Sequence, residues 1–363
     1  MAHIAIDARI INSSTGRYVE RLITYMQAID AKNTYTILVR KKDKDFWKPT
    51  ASNFSVKIAE FDNYSFGEQI GFKKLLDTLQ PDLVHFCMPQ QPLLYRGKTV
   101  TTFHDLTLLN TYNSDKNWFI FHAKQLVGRY AFIKALKSNA HIIAVSEFTR
   151  KEVLKLAPID PAKVSTIYES SDVEKTTPKK LALPFKKYIL YVGQQSDYKN
   201  IKRLGDAHQL LRQKYPNLGL VLAGKLNASA RANQEYFEAQ KYEGIHFTDF
   251  ISDAELSWAY THAEAYVFPS LMEGFGLPGL EAMSHNIPVV SSNATCLPEV
   301  YGKAAHYFNP LDTSDIARAI DDILSNKELQ EKLIKAGQKQ LKKYSWEKMA
   351  KETNKIYMNA LKK

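Results

Sequence analysis

Residues 272–281 read Met-Glu-Gly-Phe-Gly-Leu-Pro-Gly-Leu-Glu, with Glu273 and Glu281 bracketing a cluster of glycines. Gly274, Gly276 and Gly279 satisfy G-x-G-x-x-G. A dinucleotide-binding turn of that form needs a strand before it, a helix after it and an acid about 20 positions on, at the end of the next strand. "AYVFPS" before and "LPGLEAMSH" after meet the first two needs. The acid is missing: "IPVVSS" runs into Asn293, and Glu299, at about the right offset, follows Pro298 and is expected in a loop. The dinucleotide reading is therefore set aside.

The stretch still suits a phosphorylated ligand. Gly274 and Gly276 allow close approach of the backbone, and Pro278 suits the first helical position, where a missing N–H costs nothing. The N–H groups of Phe275, Gly276 and Leu277 then point at an anion on the positive end of the helix dipole. Glu273 lies in the loop and Glu281 about one turn inside the helix, each able to accept from hydroxyls. Acceptor, anion cradle, acceptor is the order of groups in a nucleotide sugar: sugar, diphosphate, ribose. No metal is expected. "DKD" (43–45) matches Asp-x-Asp, but it lies in a lysine-crowded segment and not after a buried strand.

The 363 residues exceed the usual size of one core and imply two domains. Short apolar runs, "HIAIDA", "YTILVR", "VKIAEF", "LVHF", "KTVTTF" and "HIIAVS", then "YILYVG", "LGLVLAG", "IHFTDF", "AYVFPS", "IPVVSS" and "AAHYFN", alternate with helical spacing such as "TGRYVERLITYMQAI". Some twelve buried strands separated by helices predict an α/β fold of two doubly wound, Rossmann-like domains with parallel sheets. The polar, proline-containing stretch 168–188 breaks the rhythm. Domains are therefore expected over 1–170 and 188–344, with a linker at 171–187. A last amphipathic helix, 345–363, is expected to start at an N-cap Ser345 and return to the first domain.

The net charge of +11 attracts polyanions without choosing among them. Zinc, helix-turn-helix and RNA-recognition signatures are lacking, so nucleic acid is not an expected partner. No run of about 18 apolar residues and no signal-peptide pattern occurs, and Cys87 and Cys296 are far apart, which points to a cytoplasmic protein with reduced thiols. The segment 117–137, "NWFIFHAKQLVGRYAFIKALK", mixes aromatics with cations. It reads as core packing with a solvated face, or as an interfacial helix on an anionic membrane surface.

Glu-x7-Glu in the form "EGFGLPGLEAM", followed by "IPVVSSNATCLPEVYGKAAHYFNP", resembles the retaining glycosyltransferases of the GT-B fold, family 4. "STGRYVERL" (14–22), "TFHDLT" (102–107), "HIIAVSEFTRKEV" (141–153), "YVGQQSDYKN" (191–200) and "FTDFISDAELSWAY" (247–260) extend the resemblance almost end to end. It implies a cleft between the domains and transfer of a hexose from a nucleotide sugar, without a metal or other cofactor, to a glycan or lipid-linked acceptor. "TFHDLT" with "SNATCLPEV" is similar to mannosyltransferase-like members, which favours GDP-mannose, with UDP-sugars open. A place on the inner face of the cytoplasmic membrane, in envelope polysaccharide synthesis, would follow.

Carried onto these positions, the family implies that Glu273 accepts from the donor sugar's hydroxyls and that the backbone from Gly274 to Leu277, through Phe275 and Gly276, meets sugar or phosphate. Glu281 would hold the ribose and Lys199 the diphosphate. Gly16 would bring the first domain's loop to the phosphates. His104 would line the sugar pocket and steady the transition state. Phe250 and Ile251 would lie near the base. Gln194 and Tyr198 stand where many members carry a second cation, for which Arg17 or Lys225 are the available replacements. Asp105 reads equally as a turn cap, and Ser146 as a helix N-cap. A nucleotide-sugar epimerase of the same architecture is the main alternative, with a basic nucleic-acid-binding protein far behind.

Overall fold

The computed structural model describes residues 1–363 other than 14, 64, 111–117, 172–175 and 363, and of 108, 110 and 118–124 only the backbone. Ser14, Asn117 and residues 172–175 of the expected linker thus lie outside the described residues. The chain forms two compact units, one of residues 1–169 with 345–363, the other of residues 170–344.

The first unit is built on a seven-stranded sheet of order β3-β2-β1-β4-β5-β6-β7. Its strands are β1 (His3–Asp7), β2 (Thr34–Val39), β3 (Phe54–Ile58), β4 (Leu83–Phe86), β5 (Thr99–Phe103), β6 (His141–Ala144) and β7 (Val164–Thr166). Every pairing is parallel. β4 and β5 are buried at every position, as expected of strands covered on both faces. The helices are α1 (Gly16–Ile29), α2 (Lys73–Leu79), α3 (Thr107–Asn110), α4 (Trp118–Ser138) and α5 (Glu147–Leu156). One core cluster joins Phe103, Phe132, Leu136 and Val153, and another joins Leu38, Phe72, Leu76 and Phe86.

The second unit carries a six-stranded parallel sheet of order β10-β9-β8-β11-β12-β13. Its strands are β8 (Lys187–Val192), β9 (Leu218–Ala223), β10 (Ile245–Phe247), β11 (Ala265–Phe268), β12 (Val289–Ser292) and β13 (Ala305–Phe308). The helices are α6 (Ile201–Arg212), α7 (Ala228–Ala239), α8 (Asp253–His262), α9 (Leu277–Ser284), α10 (Leu297–Tyr301), α11 (Thr313–Ser325) and α12 (Lys327–Leu341). Among the described residues thirteen strands thus stand where twelve were expected. β7 is the addition, and β3 lies earlier than "VKIAEF" suggests. The polar stretch 168–188 is not all solvated: Glu169 and Ser170 are buried, and the Lys179 N–H donates to the Ala254 carbonyl.

The last helix, α13 (Trp346–Lys362), belongs to the first unit. The Ser345 hydroxyl accepts from the Lys348 N–H at 3.3 Å, as an N-cap does. Trp346, Met349, Ala350, Thr353, Tyr357 and Ala360 are buried at helical spacing, and the helix packs on α1. It also contributes to a buried polar chain. Tyr357 Oη meets His85 Nδ1 at 2.5 Å, His85 Nε2 meets Thr102 Oγ1 at 2.9 Å, and Tyr18 Oη meets the same Thr102 Oγ1 at 2.8 Å.

Arg9, just past β1, is the most enclosed cation described. It reaches Asp7 through Nε at 2.8 Å and NH2 at 2.7 Å, Glu68 at 2.8 Å and the Phe61 carbonyl at 3.0 Å. Its guanidinium also lies 4.1 Å from the centre of the Phe72 ring. Removing one member of such a set strands a buried charge. Arg9→Met is expected to destabilise the protein by about 3–5 kcal/mol, seen as a lower unfolding temperature that Arg9→Lys only partly reproduces.

Candidate active site

In an open parallel sheet, ligands bind beyond the carboxyl ends of the strands, where the strand order reverses. In the second unit that place lies between β8 and β11, because the chain runs outward from β8 to β10 and then returns to start again at β11. The loops after these two strands carry Lys199 and Glu273. They are tied together. Asn200, held at φ 61°, donates through its side-chain amide to the Pro269 carbonyl at 3.1 Å and the Pro310 carbonyl at 2.7 Å. The Leu271 N–H donates to the Tyr198 carbonyl at 2.8 Å. Asparagine tolerates that left-handed backbone better than most residues.

This framework sets Lys199 Nζ at 2.6 Å from Glu273 Oε1, with both side chains largely buried. Burial opposes the charge on Lys199, but Glu273 more than offsets it and holds the ammonium protonated above its ordinary range. The rings of Tyr198 and Phe268 lie 5.0 and 5.6 Å from the same ammonium. Glu273 is fixed in turn: its N–H donates to Thr295 Oγ1 at 3.2 Å, and the Cys296 thiol donates to its carbonyl at 3.3 Å.

After Glu273 the chain turns into α9. Gly276 is the N-cap at φ 93°, Leu277 is the first helical residue and Pro278 the second, one later than expected. A Cβ on Gly276 would stand 2.6 Å from the Tyr301 hydroxyl, and one on Gly279 2.3 Å from it. Tyr301 Oη donates to the Gly276 carbonyl at 2.5 Å. Gly274 and Phe275 are buried, the Phe275 ring meeting Tyr344 edge-on at 5.5 Å. Glu281 accepts from Tyr260 Oη at 3.3 Å. Glu299 lies in the short helix α10, not in a loop, because Pro298 occupies one of its first two positions, where proline starts a helix.

Other expected residues sit on neighbouring loops at the same end of the sheet. Gln194 is exposed, and its carbonyl accepts from Tyr191 Oη at 2.5 Å. Phe250 is 73% exposed, with Lys225 Nζ 5.9 Å from its ring centre, and the half-buried Ile251 follows it. Asp249 Oδ1 accepts from the Leu226 N–H at 3.0 Å, joining the loops after β9 and β10.

In the first unit the strand order reverses between β1 and β4, and His104 follows the adjacent β5. His104 Nδ1 meets Glu169 Oε1 at 2.8 Å and its Nε2 meets the Cys87 carbonyl at 3.0 Å. The Tyr18 ring stands edge-on at 4.8 Å, and Thr149 Oγ1 donates to the His104 carbonyl at 3.1 Å. Sequence reasoning missed Glu169, 65 residues away in the polar stretch 168–188, just before the expected linker. Arg17 follows Gly16 in the first turn of α1. Gly16 has a steric duty besides any ligand role, since a Cβ there would fall 1.9 Å from the Ile11 carbonyl oxygen. Asp105 Oδ1 accepts from the Thr107 N–H at 2.8 Å as a turn cap, and Ser146 caps α5, accepting from the Thr149 N–H at 3.1 Å.

Two doubly wound parallel-sheet units match the GT-B fold. Solved structures of that fold superpose on the chain. A sucrose-phosphate synthase from Thermosynechococcus elongatus gives a TM-score of 0.78 at 18% identity, covering 99% of both chains. A glycosyltransferase from Rickettsia africae gives 0.72 at 18% identity, covering 99% of this chain and 98% of that one. Residues 15–175 match the family model Glycosyltransferase Family 4, and residues 172–340 match Glycosyl transferases group 1. O-antigen chain mannosyltransferase B of Escherichia coli is 34% identical over 277 residues, 72% of this chain and 70% of that protein. The serotype-specific mannosyltransferase WbdA of Escherichia coli is 33% identical over 265 residues, 69% of this chain but 32% of WbdA's own length. The chain belongs to this glycosyltransferase family, and it is a glycosyltransferase.

Replacing Lys199 by Met leaves Glu273 without its buried counter-charge. Lys199→Met is expected to lower kcat/KM by ~100-fold or more and to weaken binding of a nucleoside diphosphate more than that of the nucleoside. Titration calorimetry with both ligands checks this.

Proposed function

We propose that the protein transfers a mannosyl residue from GDP-mannose, with retention at the anomeric carbon, to a hydroxyl of a growing glycan on a lipid carrier. The observation that carries the reading is the Lys199–Glu273 pair at the strand-order reversal, beside the N-terminus of α9. The preference for mannose rests on the names of the relatives, an O-antigen chain mannosyltransferase among them.

The chemistry needs charge stabilisation more than a protein nucleophile. The bond from the anomeric carbon to the diphosphate oxygen breaks, and the acceptor oxygen bonds to that carbon from the same face. The acceptor's proton passes to the departing phosphate. Negative charge grows on the diphosphate, where Lys199 and the backbone N–H groups at the start of α9 oppose it. With Lys199 paired to Glu273, the resting site is charge-balanced. A bound donor shares the ammonium between diphosphate and carboxylate, while Glu273 turns its free oxygen to the sugar hydroxyls. Glu281 takes the ribose and Phe250 the base. No metal ion is assigned to any step.

Incubating the purified protein with GDP-mannose, UDP-glucose or UDP-galactose and a mannosylated acceptor, with and without EDTA, tests this. GDP release and an α-mannoside, identified by its one-bond C–H coupling, are expected in either buffer. Turnover of UDP-sugars alone, release of a free epimerised sugar, or loss of activity in EDTA would overturn the corresponding part.

A membrane-bound acceptor agrees with α4. Phe132, Ala135 and Leu136 face the core, while Leu126, Val127 and Tyr130 are 71%, 69% and 62% exposed beside Arg129. An apolar face beside an exposed arginine suits an anionic lipid surface. Changing Leu126, Val127 and Tyr130 together to Ser is expected to abolish sedimentation with vesicles containing phosphatidylglycerol. Unchanged sedimentation would separate this helix from the membrane.

A further inference from the structure

Both ring nitrogens of His104 lie against atoms that accept and do not donate: a carboxylate oxygen of Glu169 at 2.8 Å and the carbonyl oxygen of Cys87 at 3.0 Å. A neutral imidazole has one N–H and one lone-pair nitrogen, so it can satisfy only one of these contacts and must set a lone pair against the other. The doubly protonated ring satisfies both. Glu169 is itself buried, where an ionised carboxylate persists only with a partner. The two groups therefore stabilise each other's charge.

We propose that Glu169 is a positioning residue that keeps His104 as an imidazolium with both N–H groups committed to the protein, so that His104 serves the reaction as a fixed positive charge and not as a proton donor or acceptor. This rests on the reading of His104 as a residue of the donor's sugar pocket, and it changes the role that pocket assigns to the ring. A ring with no spare N–H has no hydrogen bond to give a sugar hydroxyl. Its charge is instead fixed in place by the two acceptors.

The surroundings agree. Burial on its own would lower the pKa of His104. The hydrogen bond and charge of Glu169, then the Cys87 carbonyl and the charge of Asp105, more than reverse that and raise it. The other titratable groups facing the ring are neutral. Burial pushes the Tyr18 phenol of α1 and the Cys87 thiol upward. Burial and then the charge of His104 take His85 on β4 down to about 3. From α5, Thr149 fixes the His104 backbone without adding charge. Glu169 is placed by the end of the sheet, where the Ile167 N–H donates to the Ala144 carbonyl at 2.9 Å.

The sign follows. With the folded-state pKa above the ordinary value near 6.5, the charged pair is complete below that value and is lost as pH rises through the folded pKa. Activity should fall along an alkaline limb set by this ring. In Glu169→Gln the limb is expected to move to lower pH and kcat to drop by ~10–100-fold, with KM for the donor little changed. Glu169→Asp, which keeps the charge, should recover most of both.

A long-range ¹H–¹⁵N spectrum of the full chain, with the His104 signals assigned through His104→Gln, reads the ring directly. Two protonated nitrogens at pH 7 are expected in the wild type and one in Glu169→Gln. A wild-type ring with one unprotonated nitrogen at pH 7, or a Glu169→Gln enzyme whose alkaline limb has not moved, would overturn the proposal. Should Glu169→Gln not fold, the wild-type spectrum and the Glu169→Asp profile still decide it. Should no nucleotide sugar turn over, the functional reading fails while the spectrum still reports the charge of the ring.

Discussion

An ammonium and a carboxylate, both largely withdrawn from water, meet at 2.6 Å where two loops of the second unit converge. Neither charge is tolerable there alone, because a buried ion without a partner costs several kcal/mol. The pair therefore constrains everything that delivers it. The loop after β8 must turn sharply enough to bring Lys199 inward, which Asn200 achieves in a left-handed conformation while bonding two carbonyls of other loops. The loop after β11 must hold Glu273 by its backbone, which Thr295 and Cys296 do. Parallel strands ending at one edge bring such loops together, and the reversal of strand order leaves a gap between them.

The first unit meets a similar demand by different means. There the buried charges are Arg9 with two carboxylates and, by the inference above, His104 with Glu169. Around them runs a neutral polar chain, Tyr357–His85–Thr102–Tyr18, that joins the last helix to the centre of the sheet. Satisfied polar networks of this kind favour one arrangement of a core over its competitors, since any other leaves donors or acceptors bare. Tyr18 belongs to the chain and also lies edge-on to His104, so the ring's position depends on α1 and, through Thr102 and His85, on α13.

Much of this was legible in the residues. Buried parallel strands announce themselves as apolar runs, and the Glu273–Glu281 block with its glycines singled out the loop after β11 and the start of α9, where Glu273 meets Lys199. The failures have physical causes. β7 is three residues with one fully buried, too short for a periodicity to register. Pro298 reads as a breaker in the sequence and places Glu299 in a loop, although proline is at home in the first turn of a helix. Glu169 was hidden because its only signal is spatial: a polar residue in a polar stretch becomes a buried counter-ion only once β7 and β5 lie in one sheet. The proximity of Lys199 and Glu273 was likewise invisible across 74 residues, though each was singled out separately.

One contact bears on how the turn into α9 can change over generations. The hydroxyl end of Tyr301 fills the room that side chains on Gly276 and Gly279 would need, and it also bonds the Gly276 carbonyl. Neither glycine can acquire a side chain while the tyrosine remains, and trimming the tyrosine first would leave that carbonyl only the longer 3.3 Å bond from the Gly279 N–H. The three positions are thereby coupled, so a change at one of them is accommodated only with changes at the others.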